Sequence, residues 1–228
     1  NPNLVLAYSQ SHRMDSQGKI TGSWKSHTDD LDSELFKHDF DMNGWEYIHR
    51  FLNIKNTIPN ASAVLFKKQT YLQIEGACSH LNLIGDWSVW AKIVSRGDIH
   101  FSSRCLNDFR YHATSVIATA KQTSGPFRLR RQIILFRSEI SNFWQHHLSD
   151  SELTPQIYKK NKIFLYKEVV RNCSFAIRRR HFEEIIPTIR DACNILPVYL
   201  LPIFMFKMAI KLIYSIIFDA PIKNLLKK

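Results

Sequence analysis

The residues best suited to chemistry lie in one stretch, Ile84 to Val116, which reads IGDWSVWAKIVSRGDIHFSSRCLNDFRYHATSV. Asp86 stands at the mouth of a short aromatic segment, and Arg110 and His112 follow one strand later. A carboxylate fixed at a helix start can accept a proton from a nucleophile. An Arg fork can hold two oxygens of an anion, and a neutral imidazole can ligate a cation. Each residue also has a plainer role. Asp86 can be an N-cap worth about 1 kcal/mol. Arg110 can pair with Asp98 or Asp108, and His112 can be a surface histidine in a chain that has 10.

The elements around them must bring these groups together. Asp86 precedes Trp87, Trp90, Ile93 and Val94, whose spacing predicts a helix with one buried face. Gly97 reads as its left-handed C-cap. Ile99 to Ser102 reads as a strand, and Leu106 to His112 as a loop or edge strand. Upstream, Leu4 to Tyr8 is an apolar strand, and Asp15 to Lys19 a turn in which Gly18 takes a positive φ. Thr21 to Asn43 reads as a polar excursion over the surface. Trp45, Ile48, Phe51 and Leu52 predict an amphipathic helix over Gly44 to Asn53. Asn60 to Phe66 is a strand of small and apolar residues, a short helix runs to Leu72, and Glu75-Gly76-Ala77 is a turn.

Taken together, these segments resemble the second half of family-2 glycosyltransferases with a GT-A fold, of the bacterial polysaccharide-building kind. The residues that carry the resemblance are Asn60-Ala61-Ser62-Ala63-Val64-Leu65-Phe66, Gly85-Asp86-Trp87-Ser88-Val89-Trp90, Arg96-Gly97-Asp98-Ile99 and Leu106-Asn107-Asp108-Phe109-Arg110-Tyr111-His112-Ala113-Thr114-Ser115. The match spans about Leu4 to Val116, roughly half the chain. It implies an α/β chain: a partial GT-A (Rossmann-like) domain followed by an α-helical C-terminal extension. It also implies transfer of a sugar from a nucleotide-sugar donor to a glycan or lipid-linked acceptor, with inversion, in cell-surface polysaccharide synthesis.

In that reading Asp86 is the catalytic base, His112 reaches the metal or the diphosphate, and Arg110 binds diphosphate oxygens. Asn60 and Ser62 lie near the donor or the acceptor, with Ser62 as a small packed strand residue the alternative. Trp87 and Trp90 can offer a platform to the acceptor sugar, but their helical spacing favours core packing, above all for Trp90. The implied cofactor is a divalent metal, Mg2+ or Mn2+, held mainly by a D-x-D motif that follows a buried strand. Asp30-Leu31-Asp32 and Asp39-Phe40-Asp41 have that spelling but lie in polar sequence, so the role is not carried to them. The family's D-x-D and its nucleotide-binding half would precede Asn1, and the chain reads as part of a longer one.

Charge divides the sequence at about the same place. Residues 1–117 hold 12 Lys/Arg and 12 Asp/Glu, whereas residues 118–228 hold 19 and 8, the whole of the net +11. The expected units are therefore 1–117, the acceptor-side half of the transferase domain; 118–194, a basic amphipathic helical extension; and 195–228, an apolar, basic, membrane-apposed tail. Ser124-Gly125-Pro126 starts one long basic helix, with Leu129, Ile133, Phe136, Ile140, Phe143 and His147 along it, and Asn161 to Arg180 reads as another. Between Pro202 and Asp219, Ile203 to Phe218 would make a helix of about 24 Å, short of a membrane span. Its Lys207, Lys211 and Ser215 stripe predicts a helix lying in the interface of an anionic membrane, with a buried hairpin as the rival.

The implied location is cytoplasmic and peripheral on the inner face of the cell membrane. The four cysteines, with no C-x-x-C spacing, read as reduced thiols. Hydrolase, zinc and phosphate-loop motifs are absent from the sequence. Two alternatives stay open: a non-catalytic, membrane-associated pseudo-enzyme or fragment, and a basic nucleic-acid-binding protein built on 118–180. The sequence carries no recognition motif for nucleic acid, which is therefore not an expected partner.

Overall fold

The computed structural model describes residues 1–112, 114, 115, 119, 125–146 and 152–192. The fold is mixed α/β, a curled sheet backed by helices. Its centre is a long parallel pair, β1 (Leu4–Met14) and β5 (Asp98–Arg110), which runs from Leu4 opposite Asp98 to Met14 opposite Arg110 with shifts of register after Leu4, Ser9 and Gln10. Three short strands flank that pair, all antiparallel to their neighbours. β2 (Ile20–Ser23) pairs with the far end of β1, β4 (Val64–Phe66) with its near end, and β3 (Phe40–Met42) with the start of β5. The sheet order is β2-β1-β5-β3, with β4 alongside β1.

Both central strands run further than their apolar segments predicted. The apolar alternation ends at Tyr8 and Phe101, but pairing continues because polar side chains satisfy one another across the two strands. Within the stretch read as a surface excursion, a short helix α1 (Asp29–Asp32) is followed by a 3-10 turn that buries Phe36 and by β3, whose Phe40 packs against it. Phe36 lies 5.0 Å from Phe51 and 5.4 Å from Phe101 between ring centroids, which gives this polar segment an aromatic anchor.

α2 (Gly44–Tyr47) starts at Asn43, whose side chain accepts the N–H groups of Trp45 and Glu46, and continues as a π-type turn, Ile48–Leu52. α3 (Lys68–Gln73) ends in a turn where Glu75 and Gly76 both have positive φ. α4 (Gly85–Val94) is buried from Trp87 to Val94 on all sides, not on one face. The sheet covers one side and the basic helices the other. α5 (Gly125–His146) and α6 (Thr154–Arg179) contribute Phe136, Ile140, Trp144 and Ile157 to the same core as the sheet. The segment expected as an extension is thus packed into the first unit, because Trp87 and Trp90 need cover that the sheet alone does not give. A smaller core of Leu165, Val169, Cys173 and Ile177 joins α6 to α5 and to α7 (Ile185–Ala192).

Two glycines are fixed by close approach. Gly97 does not take the left-handed conformation expected of it; of the glycines, Gly18, Gly22 and Gly76 have positive φ. Gly97 is needed because a Cβ there would overlap the Asn3 carbonyl and the Val5 side chain. Gly44 similarly presses its Cα on the carbonyls of Val94 and Gly97. Gly44→Ala and Gly97→Ala are each expected to lower stability by about 1–3 kcal/mol, the usual penalty of overpacking against rigid neighbours. Urea unfolding midpoints equal to wild type would show that the backbone can yield there.

The apolar tail 195–228 and the start signal at Ser124 lie outside the described residues. Among the described residues, no helix is long and apolar enough to cross a membrane. Cys78, Cys105 and Cys173 are free thiols, and burial pushes Cys173 up to about 12.

Candidate functional site

Asp86 occupies the second position of α4, not its N-cap, which is Ile84 and offers no side-chain bond. Its Oδ1 accepts the N–H of Trp87 at 2.7 Å, and the Asn56 side chain supplies a second hydrogen bond. The orientation of Asn56 follows from its neighbours: its Oδ1 accepts the Ile58 N–H at 3.2 Å, so its amide nitrogen is the group that faces Asp86. Half-burial holds the Asp86 carboxyl above the ordinary carboxylate range, and the two hydrogen bonds only partly offset it. No lysine or arginine pairs with Asp86 among the described residues. A half-buried carboxylate without a counter-charge is what proton abstraction near neutral pH requires.

On the other side of Asn56, its carbonyl accepts Nε2 of His27 at 2.8 Å, which leaves Nδ1 of His27 as the acceptor nitrogen of the neutral ring. Burial lowers the pKa of His27 and so favours that neutral form. Lys55, bonded to the His27 carbonyl and paired with Asp30, ties this wall to α1. The other acids of the two D-x-D triplets, to which no metal role was given, also have protein partners. Asp32 pairs with Arg50 at 3.0 Å, Asp39 accepts from Ser103 at 2.7 Å, and Asp41 bonds His100 at 2.7 Å.

Asn60 is buried in a polar knot on the sheet. Its Nδ2 donates to Ser11 Oγ at 3.1 Å, and its Oδ1 accepts from Ser62 Oγ and from Asn107 Nδ2, both at 3.0 Å. Asn107 also donates to Ser11 at 3.1 Å. The knot joins β1, β5 and the turn before β4, so Asn60 acts first as a fastener, while Ser62 stays exposed at its edge. Trp87 is buried. Its indole lies 4.4 Å from Phe136 between centroids and its Nε1 donates to the Leu52 carbonyl at 2.9 Å. Its ring is core and cannot serve as a sugar platform.

Arg110 and His112 emerge at the far end of β5. Arg110 donates to the Ser16 carbonyl at 3.1 Å, and His112 Nδ1 bonds Thr114 Oγ1 at 2.9 Å; both residues are exposed. No hydrogen bond or ion pair joins either to Asp86 among the described residues. Beside them an aromatic group has formed. Tyr111, exposed, stacks on Trp24 at 6.2 Å, and Arg13 lies 4.5 Å over the Trp24 ring. No trio of His, Cys, Asp or Glu that would hold a metal is present among the described residues. His112 alone does not make a divalent-cation site, which takes several oxygen ligands.

No family model, curated protein or solved structure matches this chain. The reading therefore rests on the residues themselves. Asn56, His27, Ser11, Asn107 and Trp24 were not among the residues singled out from sequence. They are isolated polar or aromatic positions; the parallel pairing of β1 with β5 brings Asn107 to Ser11, and the His27 bond to the Asn56 carbonyl joins two segments remote in sequence.

Proposed function

We propose that this chain is the acceptor-side part of a GT-A-type glycosyltransferase of family 2, with Asp86 as the base. The observation that carries the reading is the half-buried, uncompensated carboxylate of Asp86 at the start of α4, steered by Asn56. In the reaction, the acceptor hydroxyl gives its proton to Asp86 as its oxygen bonds the anomeric carbon, and the nucleotide diphosphate departs from the opposite face with inversion. A divalent metal, when held by a donor-binding half, would neutralise that leaving group. The residues of this chain do not hold one by themselves, so no step here is assigned to it.

The edge of the sheet supports a missing partner for donor binding. β4 pairs with β1 on one side only among the described residues, and Leu65 is 78% exposed and Leu72 66%. An apolar edge strand of this kind is a template for a further strand. Donor-binding residues, whether preceding Asn1 or on another chain, would find their seat there. Arg110 and His112 would then meet the diphosphate only when that half is present. A lipid-linked acceptor at the inner face of the cell membrane is part of the same proposal.

The test is sugar transfer by the complete protein with Asp86→Asn; transfer at the wild-type rate sinks the reading. Tyr111 takes the platform role that Trp87 cannot fill, being exposed and backed by Trp24. Tyr111→Ala is expected to raise the KM for acceptor by about tenfold with kcat nearly unchanged, the mark of lost binding that is uniform along the reaction. A fall in kcat with KM unaltered would remove Tyr111 from acceptor binding.

A further inference from the structure

The chain reverses sharply after α6, and the reversal exposes a stripe of unusual composition. Arg180 ends the helix at φ +61°, with its N–H on the Ile177 carbonyl and the His181 N–H on the Ala176 carbonyl. α7 then folds back, burying Thr188 and Ala192 against α6, where Asn172 donates to Thr188 Oγ1 at 2.8 Å. The positions left outside are Arg178, Arg179 and Arg180 at the end of α6, His181, Phe182 and Glu183 in the turn, and Ile186 and Arg190 on α7. Phe182 is 50% exposed and Ile186 77%.

None of Arg178, Arg179, Arg180 and Arg190 has an acidic partner among the described residues; of the acids nearby, Asp191 is paired with Arg131 and Glu183 with His181. A core helix would not show two bulky apolar side chains to water, and a solvated basic face would not interleave them with arginines. This combination matches the boundary of an anionic bilayer. There the apolar side chains enter the acyl region, and each arginine meets lipid phosphate. Nucleic acid would use the arginines but has no use for Ile186. The sequence that follows Ala192 is itself largely apolar from Ile195 to Phe218.

We infer that Phe182 and Ile186, ringed by Arg178, Arg179, Arg180 and Arg190, form a docking surface for anionic phospholipid. The inference stands apart from the sugar-transfer reading, since binding to vesicles needs no donor and no acceptor. It places a membrane contact on α6 and α7.

The test is sedimentation of the full chain with vesicles of phosphatidylcholine alone or mixed with phosphatidylserine. Wild type is expected to partition onto the mixed vesicles and much less onto the neutral ones. Phe182→Ser with Ile186→Ser should weaken that partition by about tenfold or more, given two large apolar side chains lost from the acyl boundary. Arg178→Gln, Arg179→Gln and Arg190→Gln should each weaken it by about fivefold at low salt. These positions are exposed, so circular dichroism should show all variants folded. Wild-type partition of the double apolar variant overturns the assignment and leaves membrane contact to the tail. Equal affinity for a nucleic acid duplex, lost with the arginines and indifferent to Phe182 and Ile186, overturns it in favour of a general polyanion surface.

Discussion

Asp86→Asn is expected to reduce sugar transfer by the complete protein by about 10²–10⁴-fold, the usual contribution of a general base, while the protein melts at the same temperature or higher. The two halves of that result come from one fact. The carboxylate is held above its ordinary pKa by half-burial, without a cation to compensate it. Folding therefore favours the neutral acid over the anion. The penalty on the anion is absent below the ordinary carboxylate pKa and reaches its full size once the pH exceeds the raised one. Asn has the same shape and can still accept the Trp87 N–H, but it carries no charge to desolvate. At neutral pH it should be at least as stable in place.

The difference in melting temperature between variant and wild type should close as the pH falls through the carboxylate range, because the wild type then becomes neutral too. The same ionisation gives wild-type kcat/KM an acid limb lying above the ordinary carboxylate pKa. If the carboxylate instead serves the helix, its charge near the positive end of α4 contributes about 0.3–1 kcal/mol. Asn would then lower the melting temperature and leave transfer intact. Calorimetry at several pH values, beside a transfer assay, separates the two roles without reference to how the donor is bound.

Helix α4 was legible because Trp87, Trp90, Ile93 and Val94 repeat at three and four residues, and the turn at Gly18 because few residues other than glycine take positive φ. The start of β1 was legible from its apolar run. Its continuation to Met14 was not, since Ser9 to Arg13 is polar and the facing Cys105 to Arg110 mixes polar with apolar residues, and their extended form depends on each other. Gly97 was placed correctly at the end of a helix but for a local reason, whereas the real constraint is Asn3, remote in sequence. The same limit applied to the site. Asp86 stands out at a helix start, yet its partner Asn56 lies in a loop without motif or period. The ring of Trp87 reads as amphipathic from its own helix, and only the packing of α5 decides that both faces are covered. What was not legible was long-range and polar, where spacing carries no signal.

Arg137 shows how far that long-range polar order reaches, and Arg137→Met is expected to destabilise the protein by about 3 kcal/mol. The guanidinium is buried between the rings of Trp87 and Phe164, with no carboxylate against it. One of its terminal nitrogens donates to the Asn53 carbonyl at 3.0 Å and to Asn161 Oδ1 at 2.9 Å, and the other to the Ile54 carbonyl at 3.1 Å. The Asn53 and Ile54 carbonyls lie at the end of the π-type turn, where the helix has no donors left to offer them, and Asn161 is on α6. Desolvation lowers the arginine to about 10, so it remains charged at neutral pH, and its burial opposes the gain. Met would relieve that charge but leave three acceptors bare, two buried and one partly buried, at about 1–3 kcal/mol for each buried one. The acceptors outweigh the charge, so the net sign is destabilising. Arg137→Lys should fall between, because one ammonium reaches fewer of the three. Asn56 follows Ile54 by two residues, so a loosened turn also frees the amide that steers Asp86; Arg137→Lys is accordingly expected to lower kcat more than it raises KM. Urea unfolding that shows Met equal to or more stable than Arg would mean that the buried charge, not the bare carbonyls, dominates there, and would detach α5 from the geometry of Asp86.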